Sequence, residues 1–134
     1  MEFLIGTVLA VVVCLFSTFI GLDRDRALYP TLTIVFVGYY LLFAVMGGSN
    51  SALLAELAAG VPFLAAAVWG FKRNLWVTAA ALFAHGVFDG FHAGLITDPG
   101  VPAFWPGFCG SYDVVAAAYL AWLLKRRESF ATPA

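Results

Sequence analysis

Five long apolar segments, separated by short polar turns, make up almost all of this chain of 134 residues. A bilayer core about 30 Å thick requires roughly 20 apolar residues of helix. Segments of that length occupy residues 3–22, 27–47, 51–71, 75–96 and 106–126. Only 11% of the residues are charged, against about 25% in a soluble domain, which is too few to cover a surface that faces water. The sequence therefore predicts an all-α integral membrane protein, with a single bundle of five transmembrane helices over residues 1–128 and a flexible tail over residues 129–134.

The fifth segment is the least obvious one, because its continuous apolar run, residues 114–124, is too short to cross a bilayer. Extending the segment back to Pro106 gives about 20 residues, and proline is favoured at the start of a helix. This start places Cys109, Tyr112 and Asp113 inside the part of helix five that is embedded in the membrane.

The positions of the basic residues predict the orientation. Every lysine and arginine lies in the first loop, in the third loop or after the fifth segment: Arg24, Arg26, Lys72, Arg73, Lys125, Arg126 and Arg127. With five spans these positions share one side, and the positive-inside rule puts that side in the cytoplasm. We therefore expect the N-terminus outside and the C-terminus in the cytoplasm. The lipid bilayer is the expected partner, and nucleic acid is excluded because the chain has no basic patch or arm.

Two cysteines, Cys14 and Cys109, lie far apart in the sequence. They form neither a disulfide framework nor a CxxC metal motif, so we expect two free thiols. Cys109 could act as a ligand beside Asp113, four residues further on, but an isolated cysteine is more often a small buried residue. Tyr39 and Tyr40 are likewise more typical of an interfacial aromatic belt than of a reactive site.

Helix four carries a stripe of ionisable residues on an otherwise apolar segment. His85, Asp89 and His92 are spaced i, i+4, i+7, which confines them to an arc roughly 60° wide. Glu56 on helix three and Asp113 on helix five fall at a similar depth. An aspartate at the centre of a spanning helix costs about 2.5–3.5 kcal/mol. Such a layer requires mutual pairing, a bound metal, a water-filled cavity or neutral protonation states.

A divalent cation would neutralise the carboxylates of this layer directly. Imidazole nitrogen and carboxylate oxygen together suit Zn or Fe(II) better than Ca or Mg. Our leading hypothesis is a metal site in the outer half of the bundle, with His85, Asp89 and His92 as ligands. Glu56 or Asp113 would complete the shell or act as the catalytic base. Metal-dependent hydrolysis of a membrane-soluble or small external substrate is one chemistry consistent with these groups.

Two other functions fit the same residues. The layer could relay protons or pass or sense a cation, although few polar residues are available in the inner half. The protein could also be a structural subunit whose polar seam joins helices by hydrogen bonds alone. In that case the small residues Gly86, Gly90 and Gly94 could bind a second copy or another membrane protein.

Several segments carry a resemblance to a known family. Residues 84–125 contain AHGVFDGFH, DPGVPAFWPGFC and SYDVVAAAYLAWLLK, and the first loop contains GLDRDRALYP. In these segments the chain resembles a family of small bacterial multi-pass membrane proteins. The resemblance implies that AHGVFDGFH and SYD are family features and that the protein lies in the bacterial inner membrane. It implies no substrate and no mechanism, and the sequence contains no HExxH, GxSxG or P-loop motif.

Overall fold

The computed structural model of the protein describes the backbone of residues 1–131 and the side chains of residues 1–128. The described helices are α1 (Glu2–Ile20), α2 (Leu28–Met46), α3 (Asn50–Lys72), α4 (Leu75–Leu95) and α5 (Trp105–Ala131), with a 3-10 turn, Leu22–Arg24, after α1. The prediction of an all-α protein with five helices is confirmed. The start of helix five near Pro106 is also confirmed.

The C-terminal end of α5 is the largest difference from the predicted helix limits. The helix continues to Ala131 and so includes residues 129–131 of the predicted tail, while residues 132–134 lie outside the described residues. Charged residues mark the point where a helix leaves the bilayer core, but they do not stop the helix itself. Lysine, arginine and glutamate, which follow Leu124, are good helix formers.

Local capping signals fix the ends of the helices that carry the polar layer. The side chain of Ser49 accepts a hydrogen bond of 3.1 Å from the Ala52 N–H at the start of α3. The side chain of Asn74 accepts one of 3.0 Å from the Trp76 N–H at the start of α4. Serine and asparagine are preferred at such positions because their oxygens satisfy N–H groups that have no partner in the helix. These caps set where the turns of α3 and α4 begin.

Four helices, α1, α2, α3 and α5, are long and apolar enough to cross a membrane. Helix α4 is not among them, although its length is similar, because it carries His85, Asp89 and His92. All three of these side chains are buried inside the bundle. The outward faces of the helices instead present large apolar groups, such as Phe19 and Phe91.

Helix α5 lies between α1 and α4, and α3 packs on both α2 and α4. Helix α2 also contacts α4 and α5, so α2 to α5 surround the polar layer. Helix α1 packs on α5 and contributes Ala10 and Cys14 to the apolar core. Helices α4 and α5 approach closely at two glycines. A Cβ atom on Gly86 would lie 2.8 Å from the carbonyl oxygen of Gly110.

One of the three glycines predicted to bind a partner is used within the chain itself. Gly86 packs on α5, whereas a Cβ atom on Gly90 or Gly94 would meet nothing within 4 Å. Binding of a second copy or another membrane protein by these glycines stays a prediction.

The basic segments lie at one end of the bundle. Arg26, in the first loop, donates a hydrogen bond of 2.9 Å to the carbonyl of Phe71 at the end of α3. Arg127, near the end of α5, donates one of 2.8 Å to the carbonyl of Asp23 in the first loop. These contacts join three segments distant in sequence. The residues of the polar layer lie in the opposite half of the bundle, near the start of α3 and α5 and the end of α4.

Candidate metal centre

The five ionisable residues of the predicted polar layer are all buried, with exposures of 3% or less. They come from three helices: Glu56 from α3, His85, Asp89 and His92 from α4, and Asp113 from α5. The fold brings all five into contact in two groups. Since helical periodicity fixes only the direction of each side chain, the neighbouring helix decides which group each residue joins.

The first group, here called the tetrad, consists of His85, Asp89, Cys109 and Asp113. One possible ligand atom from each of them lies within 4.8 Å of the others. The Nδ1 atom of His85 lies 2.6 Å from the Oδ2 atom of Asp113 and 3.6 Å from the Oδ2 atom of Asp89. The Sγ atom of Cys109 lies 4.0 Å from the same oxygen of Asp113. Residues four apart share one face of a helix, so α4 and α5 each contribute one i, i+4 pair.

The second group is the hydrogen-bonded pair of His92 and Glu56. The Nε2 atom of His92 lies 2.6 Å from the Oε1 atom of Glu56. Of the three ligands predicted from the sequence, His85 and Asp89 therefore lie together with Asp113, while His92 faces α3. Of the two predicted catalytic carboxylates, Asp113 belongs to the tetrad and Glu56 does not.

Tyr40 of α2 connects the two groups. Its hydroxyl donates a hydrogen bond of 2.6 Å to the Oδ1 atom of Asp89, and its ring centroid lies 4.5 Å from that of His92. Sequence reasoning favoured a belt role for both tyrosines. That expectation suits Tyr39, which is 38% exposed, but is wrong for Tyr40, which is 2% exposed. Helix α2 is apolar on every face, so its periodicity did not separate the two.

Two carboxylate oxygens of the tetrad lack a hydrogen-bond partner among the described residues. Neither Asp89 Oδ2 nor Asp113 Oδ1, both buried, has a hydrogen-bond donor among the described residues. Every lysine and arginine of the chain lies in or beside the loops at the basic end, or in the last turns of α5. Two buried carboxylates therefore share one imidazole, and this arrangement requires a proton or a cation to balance its charge.

The donor set fits a transition metal. One imidazole nitrogen, one thiol sulfur and two carboxylate oxygens are all established zinc ligands, and the sulfur also disfavours Mg or Ca. Donors around a tetrahedral zinc lie roughly 3.3–3.8 Å apart. Three of the six donor separations, 2.6, 3.6 and 4.0 Å, lie around that spacing, and all six are within 4.8 Å. The expectation that both cysteines are free is confirmed, and both are buried.

The two sides of the polar layer differ in polarity. A cavity of about 10 Å³, lined by Tyr40, Glu56 and His85 among others, lies between the two groups and is about large enough for one water molecule. His92 also lines a larger cavity of about 230 Å³ beneath the loop between α4 and α5, here called the vestibule. Towards the basic end, by contrast, the layer is followed by the buried apolar side chains of Leu82 and Leu120.

The tetrad is thus a HxxxD pair on α4 facing a CxxxD pair on α5. Comparison of the chain with protein-family models, with curated proteins and with solved structures found no match in any of the three. Function therefore has to be inferred from the chemistry of the site.

Proposed function

We propose that the protein is an integral membrane metalloprotein that holds one divalent transition metal, Zn or Fe(II), with His85, Asp89, Cys109 and Asp113. The observation that carries this proposal is that two buried oxygens, Asp89 Oδ2 and Asp113 Oδ1, have no hydrogen-bond donor among the described residues. A divalent cation would give both oxygens a partner and balance the charge of the two carboxylates. A seam that only joined helices would instead use its oxygens in hydrogen bonds.

The chemistry that we propose for this centre is metal-dependent hydrolysis. A bound Zn or Fe(II) ion supplies Lewis-acid activation of a water molecule or of a carbonyl or phosphoryl oxygen. Asp113 then acts as a ligand rather than as a base. Glu56 remains the carboxylate outside the metal shell, and through His92 it reaches the vestibule. The pair of His92 and Glu56 is placed to accept a proton from water that enters there.

We also propose that all five helices span the bacterial inner membrane, with the basic end in the cytoplasm and the N-terminus outside. The length and apolar character of α1, α2, α3 and α5 support this placement. Helix α4 spans as well, because its polar residues are covered by α2, α3 and α5 rather than exposed to lipid. The gathering of basic segments at one end agrees with the positive-inside rule. In this orientation the vestibule opens on the outer face.

Proton or cation transport through the same residues is less well supported. A transported ion would have to pass the apolar side chains of Leu82 and Leu120, which are buried below the tetrad. A charged group in such a region is costly without a polar partner. A site that is open at one side only is typical of a catalytic or binding centre.

Metal analysis of the purified protein tests the proposal. Protein purified in mild detergent and incubated with Zn²⁺ or Fe²⁺ is expected to hold one metal ion per chain by elemental mass spectrometry. The double variant Asp89→Asn/Asp113→Asn keeps the side-chain volumes and should lose the metal while eluting as a folded protein in size-exclusion chromatography. A wild-type protein without metal under both conditions, or a double variant with an undiminished content, would refute the proposal.

A further inference from the structure

A groove runs along the outside of the bundle between α1 and α4. Both of these helices pack on α5, but among the described residues their backbones do not approach each other. The gap between them has a volume of about 510 Å³, with α5 as its floor. This volume is within the range of about 300–1,000 Å³ that small-molecule sites occupy.

Small residues create the groove. Gly90 and Ala93 form its α4 side, and Gly107, Gly110 and Ser111 lie on the floor. The α1 wall contributes Phe3 and Thr7, and the lining is otherwise almost entirely apolar. A Cβ atom on Gly90 would meet nothing within 4 Å, so the space above this residue is unoccupied by the chain itself.

The groove reaches the tetrad. Asp89 belongs to its lining, although the side chain of Asp89 is fully buried, and one of its oxygens has no hydrogen-bond donor among the described residues. The groove also shares Ala93, Ala103 and Pro106 with the vestibule. One continuous surface therefore joins an apolar side opening to a polar end lined by His92, Thr97 and Asp98, and it borders the tetrad at Asp89.

We propose that this groove binds a single-chain amphiphile from the membrane, with its hydrocarbon chain between α1 and α4 and its oxygen-bearing head beside Asp89 and the vestibule. This inference rests on the proposed function, because it names the substrate class of the proposed metal centre. The hydrocarbon chain matches the apolar lining, and the head matches the polar end. Because the chain enters from the side, the substrate can reach a buried site without leaving the bilayer.

A second transmembrane helix is the competing occupant, since small residues also favour helix contacts. The groove is continuous with the vestibule, whose lining includes His92, Thr97 and Asp98. The apolar side chains by which one transmembrane helix packs on another would leave these polar groups without a partner. The polar head of an amphiphile can give them one, so the polar end of the groove favours the amphiphile.

The test uses a photoreactive fatty alcohol that carries a diazirine and an alkyne, added to the full-length protein in detergent; its hydroxyl can donate to the carboxylates at the head end, which a fatty-acid carboxylate cannot. Labelling should map to the groove peptides of α1, α4 and α5 and should be competed away by unlabelled fatty alcohol, unlike contact with bulk detergent. Gly90→Leu should abolish this competable labelling because its side chain fills the groove. Gly94→Leu is the matched control, since Gly94 lies on the same helix with open space above it but outside the groove lining.

Metal content, measured on every variant, separates this inference from the proposed function. The expected result is a loss of labelling in Gly90→Leu with an unchanged metal content. Thr7→Trp narrows the groove from the α1 wall, distant in sequence from the tetrad, and should also lose labelling; it covers the case in which Gly90→Leu does not fold. Labelling that persists in both groove variants, or that is not competed in wild type, would overturn the inference. Cross-linking of two chains through the groove in place of probe labelling would also overturn it, even with the metal retained.

Discussion

The tetrad and the pair of His92 and Glu56 lie side by side in one buried layer, yet they are built differently. In the pair, one imidazole meets one carboxylate at 2.6 Å. In the tetrad, one imidazole and one thiol meet two carboxylates, and two of the carboxylate oxygens have no donor within the part of the chain that the structure describes. The pair can balance its own charge, whereas the tetrad needs a further positive charge. Charge balance therefore distinguishes the proposed metal site from a neighbouring pair that needs no metal.

The largest expected effect concerns the stability of the pair. Replacement of Glu56 by leucine leaves the buried His92 imidazole without a partner, and breaking a buried pair in this way costs about 3–5 kcal/mol. The double variant Glu56→Leu/His92→Phe removes both partners and should regain most of that free energy. Unfolding by SDS titration in mixed micelles measures the three proteins. A double variant no more stable than Glu56→Leu would show that the pair is not an isolated unit.

The second-largest expected effect is on zinc affinity, which should fall when the tetrad is changed and stay the same when the pair is changed. Asp113→Asn removes a proposed ligand and should weaken zinc binding by more than about a hundredfold, since changes to second-shell residues alone cost about 10–100-fold. Glu56→Gln, the matched amide substitution in the pair, should leave the affinity near that of wild type. Competition with a zinc-binding dye measures both constants. An equal loss in the two variants would place Glu56 in the metal shell and erase the distinction.

The smallest expected effect is a change in zinc affinity on replacement of Tyr40, which lies between the tetrad and the pair. Tyr40→Phe removes the hydroxyl that donates to Asp89 Oδ1 but keeps the ring against His92. Loss of such a second-shell hydrogen bond should weaken zinc binding by about tenfold. Tyr39→Phe is the control, because Tyr39 lies on the exposed side of the same helix. Identical affinities for Tyr40→Phe and wild type would mean that Asp89 needs no orientation by α2.

Periodicity and hydropathy were sufficient to predict five helices, the start of α5 and the burial of the stripe on α4. They could not predict which neighbour each residue of that stripe meets. His85 and His92 lie i, i+7 on one helix, about 10 Å apart along its axis, and over that distance the helix that supplies the partner carboxylate changes from α5 to α3. Cys109 lies one turn before Asp113, but a lone cysteine gave no reason to prefer it over His92 as a ligand.

X-ray absorption spectroscopy of the zinc-loaded protein identifies the donor atoms and so decides whether the tetrad is the metal shell. Zinc–sulfur bonds of about 2.3 Å are resolved from zinc–nitrogen and zinc–oxygen bonds of about 2.0–2.1 Å, and multiple scattering counts imidazoles. Zinc bound by the tetrad should show one sulfur and one imidazole per ion, with the sulfur lost in Cys109→Ser and kept in Cys14→Ser. A shell with two imidazoles and no sulfur would contradict the tetrad and favour the ligand set of His85, Asp89 and His92.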